Sequence, residues 1–225
     1  MSKRLDKIAS YVKPGTGVAD VGTDHGYIPV MLYRRGYNGN IIGTDINEGP
    51  LNKARRSLAE AGIDDEVSLV LCDGLEGIDP DSVNTIIVAG MGGDTITGIL
   101  DRAEWCSRED VSLILQPVTK PEILRYWLIN NEFNITDEAF VKENGTIYQI
   151  ICAKPGISEK YSDAELFTGK LEQIKNEELF YEHIAIHIKR FQSAVSSLEK
   201  TERSGLGPWL EMLKNILREL EEIEQ

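Results

Sequence analysis

The chain has 225 residues, of which 41% are hydrophobic, and it carries a formal net charge of −13 at pH 7. That hydrophobic content supports a folded core of one or two domains rather than a disordered chain. No apolar run approaches the roughly 18 residues that span a bilayer, and the N-terminus lacks the apolar segment of a signal peptide, so we expect a cytoplasmic protein with no membrane partner. The acidic charge disfavours nucleic acid as a partner unless basic residues cluster locally.

Strands and helices alternate through the first two thirds of the chain. A short amphipathic helix carrying Leu5, Ile8, Ala9 and Val12 comes first. The pattern then predicts, in chain order, strand 17–21, helix 28–35, strand 40–44, helix 50–61, strand 67–71, strand 85–89, helix 95–103, strand 112–115 and a helix that ends near residue 130. This alternation predicts an α/β fold with a Rossmann-like, doubly wound and mostly parallel sheet.

Two local signals complete this region. Thr119-Lys120-Pro121-Glu122 has the pattern of a capping box at the start of the last helix. Segments 134–141 and 146–153 flank Glu143-Asn144-Gly145, and Asn-Gly is a strong hairpin signal. We therefore predict that the sheet ends in an antiparallel hairpin.

The chain becomes entirely helical after a boundary at Lys154-Pro155-Gly156-Ile157-Ser158. Apolar residues then recur at steps of three and four, from Phe180 to Leu198 and from Leu210 to Leu220, on either side of a turn at residues 204–208. Two helices joined by a short turn run antiparallel, so we predict a C-terminal helical coiled-coil hairpin. The predicted domains are residues 1–156 and 157–225.

The stretch Gly22-Thr23-Asp24-His25-Gly26 follows the first predicted strand and leads into a helix. A dinucleotide fingerprint, G-x-G-x-x-G, would place a glycine where Asp24 stands. Asp24 would repel a pyrophosphate, so a dinucleotide-dependent oxidoreductase fits this loop badly. Aspartate tolerates a left-handed backbone better than most residues, so we expect the loop to keep its tight turn.

Four acids, Asp20, Asp24, Asp45 and Asp73, fall at or just after the carboxyl ends of predicted parallel strands. Ligands of doubly wound sheets bind at that edge. Each acid alone could be a turn or cap residue, but four together favour a cationic ligand without phosphate, such as S-adenosylmethionine. Asp45 lies about 20 residues beyond the loop, where an acid that binds ribose hydroxyls is expected, and Asp73-Gly74 can accept from an adenine amine.

Four motifs carry a family resemblance: they are Asp20-Val21-Gly22-Thr23-Asp24-His25-Gly26, Gly43-Thr44-Asp45-Ile46-Asn47, Cys72-Asp73-Gly74-Leu75 and Ala89-Gly90-Met91-Gly92-Gly93. Their order resembles that of the class I S-adenosylmethionine-dependent methyltransferases. The Thr-Asp-His and Gly-Met-Gly-Gly variants resemble the bacterial tRNA (adenine-22-N1)-methyltransferase family, which joins a catalytic Rossmann-like domain to a C-terminal helical coiled coil. The likeness covers nearly the whole chain and implies S-adenosyl-L-methionine as cofactor and tRNA as substrate.

The resemblance also implies roles for individual residues. Asp20, Gly22 and Gly26 would shape the cofactor loop, Asp45 would hold the ribose, Asp73 and Gly74 the adenine, and Gly90 and Met91 would lie beside the methyl donor. Thr23, Asp24 and Ile46 complete the predicted cofactor-binding set. The resemblance departs from adenine-N6 methylases, which usually have Asn-Pro-Pro-Tyr after the fourth strand, and this favours a ring nitrogen as the acceptor.

The catalytic candidates are Asp24, His25, Gly92 and Gly93. Adenine N1 has its own lone pair, so in-line transfer depends on positioning and a suitable field rather than on a strong base. Asp24 would stabilise the cationic product, and His25 would hydrogen-bond the base or accept its exocyclic proton. The alternative for His25 is to orient the loop or cap the helix. Gly92 and Gly93 would let an unstacked base approach.

Other sequence signals leave alternatives open. His183 and His187 lack a third ligand nearby, and Cys72, Cys106 and Cys152 are isolated, so we expect no metal site. A tRNA track would form if one face gathered Lys3, Arg4, Lys7, Arg34, Arg35, Lys53, Arg55 and Arg56, with Lys189, Arg190, Lys200 and Arg203. Rival interpretations are a methyltransferase of small molecules or proteins, which the acidic charge favours, and a non-catalytic partner-binding protein. A helical hairpin can close on itself or on a second copy, so monomer and dimer both remain open.

Overall fold

A computed structural model describes residues 2–200 and 206–224. The chain divides into two compact units, Met1–Glu159 and Lys160–Gln225. Among the helices in the described ranges, none combines the length and the apolar character needed to cross a membrane.

The first unit alternates helices and strands in the predicted order. Its elements are α1 (Lys3–Ser10), β1 (Val18–Val21), α2 (Tyr27–Arg34), β2 (Ile41–Asp45), α3 (Glu48–Ala61), β3 (Val67–Leu71), β4 (Thr85–Gly92), α4 (Gly93–Asp101), β5 (Ser112–Thr119), α5 (Pro121–Asn130), β6 (Phe133–Glu143) and β7 (Thr146–Pro155). Short 3₁₀ turns occupy Pro80–Ser82 and Glu104–Ser107.

The seven strands form one sheet in the order β3-β2-β1-β4-β5-β7-β6. Strands β1 to β5 pair in parallel, whereas β7 pairs antiparallel with both β5 and β6. The predicted doubly wound sheet with a terminal antiparallel hairpin is therefore confirmed. The chain leaves β1 towards β2 on one side and returns to β4 on the other. This reversal opens a crevice at the carboxyl ends of the strands.

The core lies on both faces of the central strands. Ile86, Ile87 and Val88 of β4 are each 0% exposed, as expected for a parallel strand covered by helices on both sides. The hairpin turn is also as predicted, because Asn144 and Gly145 adopt φ values of 50° and 79°. Positive φ at both central residues is the requirement of a two-residue hairpin turn of type I′.

The predicted capping box at Thr119 is wrong. β5 continues to Thr119, four residues beyond the predicted end at Leu115, because it keeps pairing with β4. Lys120 is the N-cap of α5 instead, in a left-handed conformation without a side-chain cap bond. Pro121 occupies the first turn, where its missing N–H costs no hydrogen bond.

A buried ion pair joins α5 to the terminal hairpin. The Arg125 Nε donates to Glu138 Oε1 at 2.7 Å, and its NH2 group donates to Gln149 Oε1 at 2.6 Å. The side chains of Arg125 and Glu138 are only 0% and 1% exposed. A charge this deeply buried is stable only because it is paired and hydrogen-bonded.

The second unit is helical. Its elements are α6 (Asp163–Thr168), α7 (Leu171–Ile174), α8 (Phe180–Glu199) and α9 (Gly207–Glu224). Gln192 in the middle of α8 bonds Glu221 late in α9, whereas Glu199 at the end of α8 pairs with Lys214. The helices are therefore antiparallel, as predicted. Ser204 and Gly205 of the predicted turn, together with Arg203, lie outside the described residues. Gly207 and Pro208, which the prediction placed in the turn, begin α9 instead.

The two histidines of α8 belong to the core of this unit. His183 is 3% exposed and its Nε2 lies 3.1 Å from the carbonyl oxygen of Thr168, while His187 is 6% exposed and packs against His183 edge to face. Within residues 2–200 and 206–224, no group of three or more His, Cys, Asp or Glu side chains is arranged to hold a metal ion.

Candidate active site

In the loop between β1 and α2, every second residue has a left-handed backbone conformation. Gly22, Asp24 and Gly26 have φ values of 72°, 45° and 67°. Asp24 thus keeps the turn without a glycine, as predicted, because aspartate is among the few side chains that tolerate this conformation. The N–H groups of Gly22 and Thr23 both donate to the carbonyl oxygen of Thr44, which anchors the loop to β2.

Asp20 lies beneath this loop as a buried acid. It is 3% exposed, and its Oδ2 accepts a 2.6 Å hydrogen bond from the Thr23 hydroxyl. Burial raises the pKa of Asp20 to about 6, and the bond from Thr23 partly offsets this effect. The carboxylate therefore carries a charge at neutral pH that has little solvent to stabilise it, and a cationic ligand would supply that stabilisation.

Replacing Asp20 with Asn should stabilise the unliganded protein at alkaline pH. The Asp20 pKa is about 6 when folded and 3.8 when unfolded, so the folded state binds the proton more tightly and stability falls as pH rises through this window. The free energy of unfolding of the variant should exceed that of the wild type by about 3 kcal/mol near pH 8 and by about half of that near pH 5. Urea unfolding at the two pH values measures the gap. A gap that does not narrow at the lower pH would contradict the assignment.

Two cavities open along the carboxyl edge of the sheet. The first, here the β2 cavity, has a volume of about 400 Å³ and is lined by residues that include Thr44, Asp45, Ile46, Asp73, Gly74, Ile99 and Arg102. The second, here the loop cavity, has about 500 Å³ and is lined by residues that include Arg4, Asp20, Thr23, Asp24, His25, Tyr27 and Gly90. Gly22, Asp45 and Met91 line both, so the two cavities adjoin.

The predicted cofactor residues thus come together at one crevice, and glycines keep it open. A Cβ on Gly22 would lie 2.3 Å from the Met91 Cε, and a Cβ on Gly74 would lie 2.9 Å from the side chain of Ile99. Both contacts are shorter than atoms tolerate, and both glycines also have left-handed backbones. Conformation therefore favours glycine at both positions. Packing adds to this at Gly74, whereas Gly22 meets only the flexible end of the Met91 side chain.

The two outer acids differ in their surroundings. Asp45 ends β2, and its Oδ1 accepts the backbone N–H of Asn47 at 3.0 Å. Asp73 Oδ1 accepts a 2.9 Å hydrogen bond from Arg102, which also pairs with Glu76. Sequence reasoning missed Arg102, because nothing near residue 102 indicates that the end of α4 lies against the loop after β3. Arg102 shares the β2 cavity with Asp73 and offers a planar cation at its rim.

Gly92 and Gly93 contact the end of β5. A Cβ on Gly93 would lie 2.1 Å from the Lys120 carbonyl oxygen, and a Cβ on Gly92 would lie 2.7 Å from the Asp94 carboxylate. Asp94 in turn forms an ion pair with Lys120 at 2.7 Å, and this bond lowers the pKa of Asp94. Packing against the Lys120 backbone accounts for Gly93, whereas the neighbours of Gly92 are the ends of side chains. The part of both glycines in admitting a base stays a prediction.

Asp24, His25 and Tyr27 form the outer wall of the loop cavity. The Asp24 carboxylate lies 3.7 Å from the His25 Nε2 and 3.6 Å from the Lys53 Nζ. The rings of His25 and Tyr27 are stacked, with centroids 5.1 Å apart and planes within 4°. Tyr27 is 51% exposed, and a half-exposed aromatic pair is a surface on which a base can stack. The sequence prediction included His25 but missed Tyr27.

The donor set of the crevice fits S-adenosylmethionine. Carboxylates of Asp20, Asp24 and Asp45 suit a group with ammonium, sulfonium and hydroxyl functions, and the exposed Ile46 offers an apolar surface to a flat ring. The loop has no glycine at position 24 for close approach of a pyrophosphate. The residues present therefore match a cationic cofactor without phosphate.

Comparison with known proteins also indicates a methyltransferase. Residues 1–151 match the family model described as a methyltransferase domain. The chain is 28% identical to the tRNA (adenine(22)-N(1))-methyltransferase of Bacillus subtilis, over 96% of this chain and 97% of the relative.

Solved structures of similar proteins match this chain over its full length. The crystal structure of the B. subtilis m1A22 tRNA methyltransferase superimposes with a TM-score of 0.89 at 27% identity, covering 100% of this chain and 99% of that one. A Streptococcus pneumoniae protein, provisionally named a tRNA (m1A22) methyltransferase and crystallised with S-adenosyl-L-methionine, gives a TM-score of 0.85 at 28% identity, with 100% of both chains covered. The crevice, its donor set and the match over residues 1–151 lead to one conclusion: the chain belongs to the methyltransferase-domain family.

Proposed function

We propose that this protein transfers a methyl group from S-adenosyl-L-methionine to N1 of an adenine in tRNA. The observation that carries the proposal is the pair of adjoining cavities that meet at Gly22, Asp45 and Met91. One cavity is large enough for the nucleoside of the cofactor and the other for an acceptor base. The relatives from B. subtilis and S. pneumoniae supply the substrate class, because their names specify adenine N1 of tRNA. Such a substrate would place the chain in the cytoplasm.

The β2 cavity would hold the nucleoside of the cofactor. Asp45 would bind the ribose hydroxyls, and Asp73 with Gly74 would face the adenine, with Arg102 holding the Asp73 carboxylate in place. Asp20, Thr23, Asp24 and the glycines at 22 and 26 would shape the loop around the charged end of the cofactor, while Gly90 and Met91 would lie beside the methyl group. The cofactor supplies an electrophilic methyl group on a sulfonium.

The loop cavity would hold the target adenine. The base must leave the helical stack because pairing hides N1, and the stacked His25–Tyr27 pair provides an aromatic surface to receive it. N1 would accept the methyl group with its own lone pair while the electrons of the broken sulfur–methyl bond stay on the sulfur, so the wall needs no strong base. As the bond forms, positive charge develops on the ring, and the Asp24 carboxylate in the wall stabilises it. His25 would hydrogen-bond the base or accept the exocyclic proton.

The direct test is incubation of the protein with unmodified tRNA and S-adenosylmethionine, followed by mass spectrometry of the digested nucleosides. We expect 1-methyladenosine from the wild type and none from Asp45→Ala, which should lose the cofactor while leaving the fold intact. Methyl groups on a different nucleoside would reassign the target atom. Methylation of small molecules or proteins with no change in tRNA would replace the proposal by the rival interpretation.

Several cations of the predicted tRNA track form ion pairs or hydrogen bonds with neighbouring side chains. Arg35 pairs with Asp6 at 2.7 Å, Lys53 lies 3.6 Å from Asp24, and Arg55 donates to Asn52. Arg4 turns inward to Gln116. Lys189 and Arg190 on α8, and Lys200 at its C-cap, are exposed. We propose tRNA contact by the α8 cations as the first to test. Arg34 and Arg56 are also exposed and stay candidates.

Neutralising two of these cations should weaken tRNA binding and flatten its response to salt. In Lys189→Gln/Arg190→Gln, the slope of log affinity against log salt concentration should fall by about 2 units, because each lost phosphate contact removes about one released counterion. Lys214→Gln is the matched control, since Lys214 is already paired with Glu199 at 2.8 Å. Filter binding across a salt series measures the slopes. Equal slopes in the wild type and the double variant would remove α8 from the interface.

A further inference from the structure

Gln116 is a fully buried amide near the end of β5, and both of its polar atoms are bonded. Its Nε2 donates to the Pro117 carbonyl oxygen at 2.9 Å. Its Oε1 accepts the backbone N–H of Gly90 at 3.2 Å and also a hydrogen bond from the Arg4 guanidinium. Gln116 is 0% exposed. One buried oxygen thus joins α1 to the carboxyl end of β4.

The bond from Gly90 to Gln116 forms where the ladder between β4 and β5 is interrupted. The ladder between β4 and β5 shifts register between Ala89 and Met91, and Gly90 adopts a left-handed φ of 79°. A bulged residue loses its ladder partner, so its N–H takes another acceptor. The side chain of Gln116 replaces the missing ladder bond. The conformation of Gly90 therefore depends on where the amide of Gln116 is held.

Arg4 donates to the same amide oxygen as Gly90. A Cβ on Gly90 would lie only 3.6 Å from the Arg4 NH1, and the guanidinium carbon lies 5.0 Å from the ring centroid of Tyr148. The Arg4 Nε is buried and has no hydrogen-bond partner among the described residues. Leaving a buried donor unsatisfied disfavours this position, so the contacts with Gln116 and Tyr148 must offset that cost.

We propose that Arg4 is a positioning residue for methyl transfer, acting through Gln116 to hold the Gly90–Met91 segment between the two cavities. The proposal rests on the proposed function, since it concerns the same site. Met91 lines both cavities and packs over Gly22. A shift of Met91 would change the alignment of the methyl donor and the acceptor base, and displacements of about 1 Å can cost about a hundredfold in rate.

Steady-state kinetics of single and double variants test the coupling. We expect Arg4→Met to lower kcat about 30-fold and Gln116→Leu about 100-fold, with the double variant no worse than Gln116→Leu alone, because both act on one segment. Arg4→Lys retains a donor for Gln116 and should recover much of the activity. Asp6→Asn is the control. Asp6 lies on α1 like Arg4, but its partner is the exposed Arg35, so this variant should keep wild-type kcat.

A second readout uses the unliganded protein and does not depend on the substrate. Hydrogen exchange at the Gly90 amide should accelerate at least about tenfold in Arg4→Met and Gln116→Leu, and stay at the wild-type rate in Asp6→Asn. This result would support the proposal even if the wild type methylated a different substrate. If the wild type formed no 1-methyladenosine, this would contradict the proposed function but not the positioning role of Arg4.

Two outcomes would overturn the proposal. If Arg4→Met raised KM for tRNA and flattened the salt response while kcat and Gly90 exchange stayed unchanged, Arg4 would be an RNA contact. If the losses of kcat in the two single variants multiplied in the double variant, the residues would act independently. Should Arg4→Met fail to fold, Arg4→Lys and Gln116→Leu still decide the question through Gly90 exchange.

Discussion

Turnover with tRNA is expected to fall about a hundredfold when Asp24 is replaced by Asn. The substitution removes the charge but keeps the shape, and asparagine also tolerates the left-handed backbone that Asp24 adopts at φ 45°. The loop should therefore keep its anchoring bonds to Thr44. What is lost is the carboxylate in the wall of the loop cavity that would stabilise positive charge on the methylated adenine. Single-turnover rates and cofactor affinity, measured together, separate this effect from cofactor binding.

Lys53→Met is the matched control for Asp24→Asn. Lys53 lies 3.6 Å from the Asp24 carboxylate, so both variants break the same ion pair, but only Asp24→Asn removes the negative charge. We expect Lys53→Met to keep kcat within about threefold of the wild type, since an exposed ion pair contributes little by itself. An equal loss of kcat in the two variants would show that the ion pair, and not the carboxylate, matters.

The largest loss of stability is expected from Glu138→Gln. This variant removes the negative charge that contacts the buried Arg125 guanidinium at 2.7 Å, and arginine cannot lose its proton to escape the penalty. Arg125 is 0% exposed and bonds Glu138 at 2.7 Å. Removing one partner of a buried pair typically costs about 3 to 5 kcal/mol. Urea unfolding, followed by circular dichroism, should show a free energy of unfolding lowered by that amount.

An exposed ion pair provides the comparison for Glu138→Gln. Asp6→Asn removes the partner of Arg35, a pair whose side chains are 51% and 37% exposed, and should cost less than about 1 kcal/mol. The double replacement Arg125→Met/Glu138→Leu should recover part of the loss, because it removes both buried charges. If Glu138→Gln proved as mild as Asp6→Asn, solvent would have to reach the pair, contrary to its burial.

The elements that sequence reasoning placed well depend on local rules. The left-handed Asp24 and the Asn144-Gly145 hairpin follow from the backbone preferences of those residues alone. The doubly wound sheet follows from alternating apolar segments of strand and helix length. The capping box at Thr119 failed because the end of β5 is set by its pairing with β4, and pairing with a distant strand overrides a four-residue pattern.

In the site, too, some features could be predicted from the sequence and others could not. The acids at 20, 45 and 73 could be grouped from the sequence because the carboxyl ends of parallel strands share one edge. Their individual surroundings could not: Asp20 is buried, whereas Asp73 is held by Arg102. Tyr27 escaped notice because a tyrosine at the start of a helix is usually a packing residue. Its stacking on His25 appears only when both side chains are placed.

The sequence alone determined the fold class, the grouping of the acids at one edge of the sheet and the family resemblance, because periodicity and turn chemistry are properties of neighbouring residues. Only the tertiary structure decided which charges act where. Arg4, Arg102 and Arg125 look alike in the sequence, yet one meets a buried amide, one an acid at the cavity rim and one a buried glutamate. The physical reason is that burial and partner choice are set by contacts between segments far apart in the chain, and these contacts determine what each charge can do.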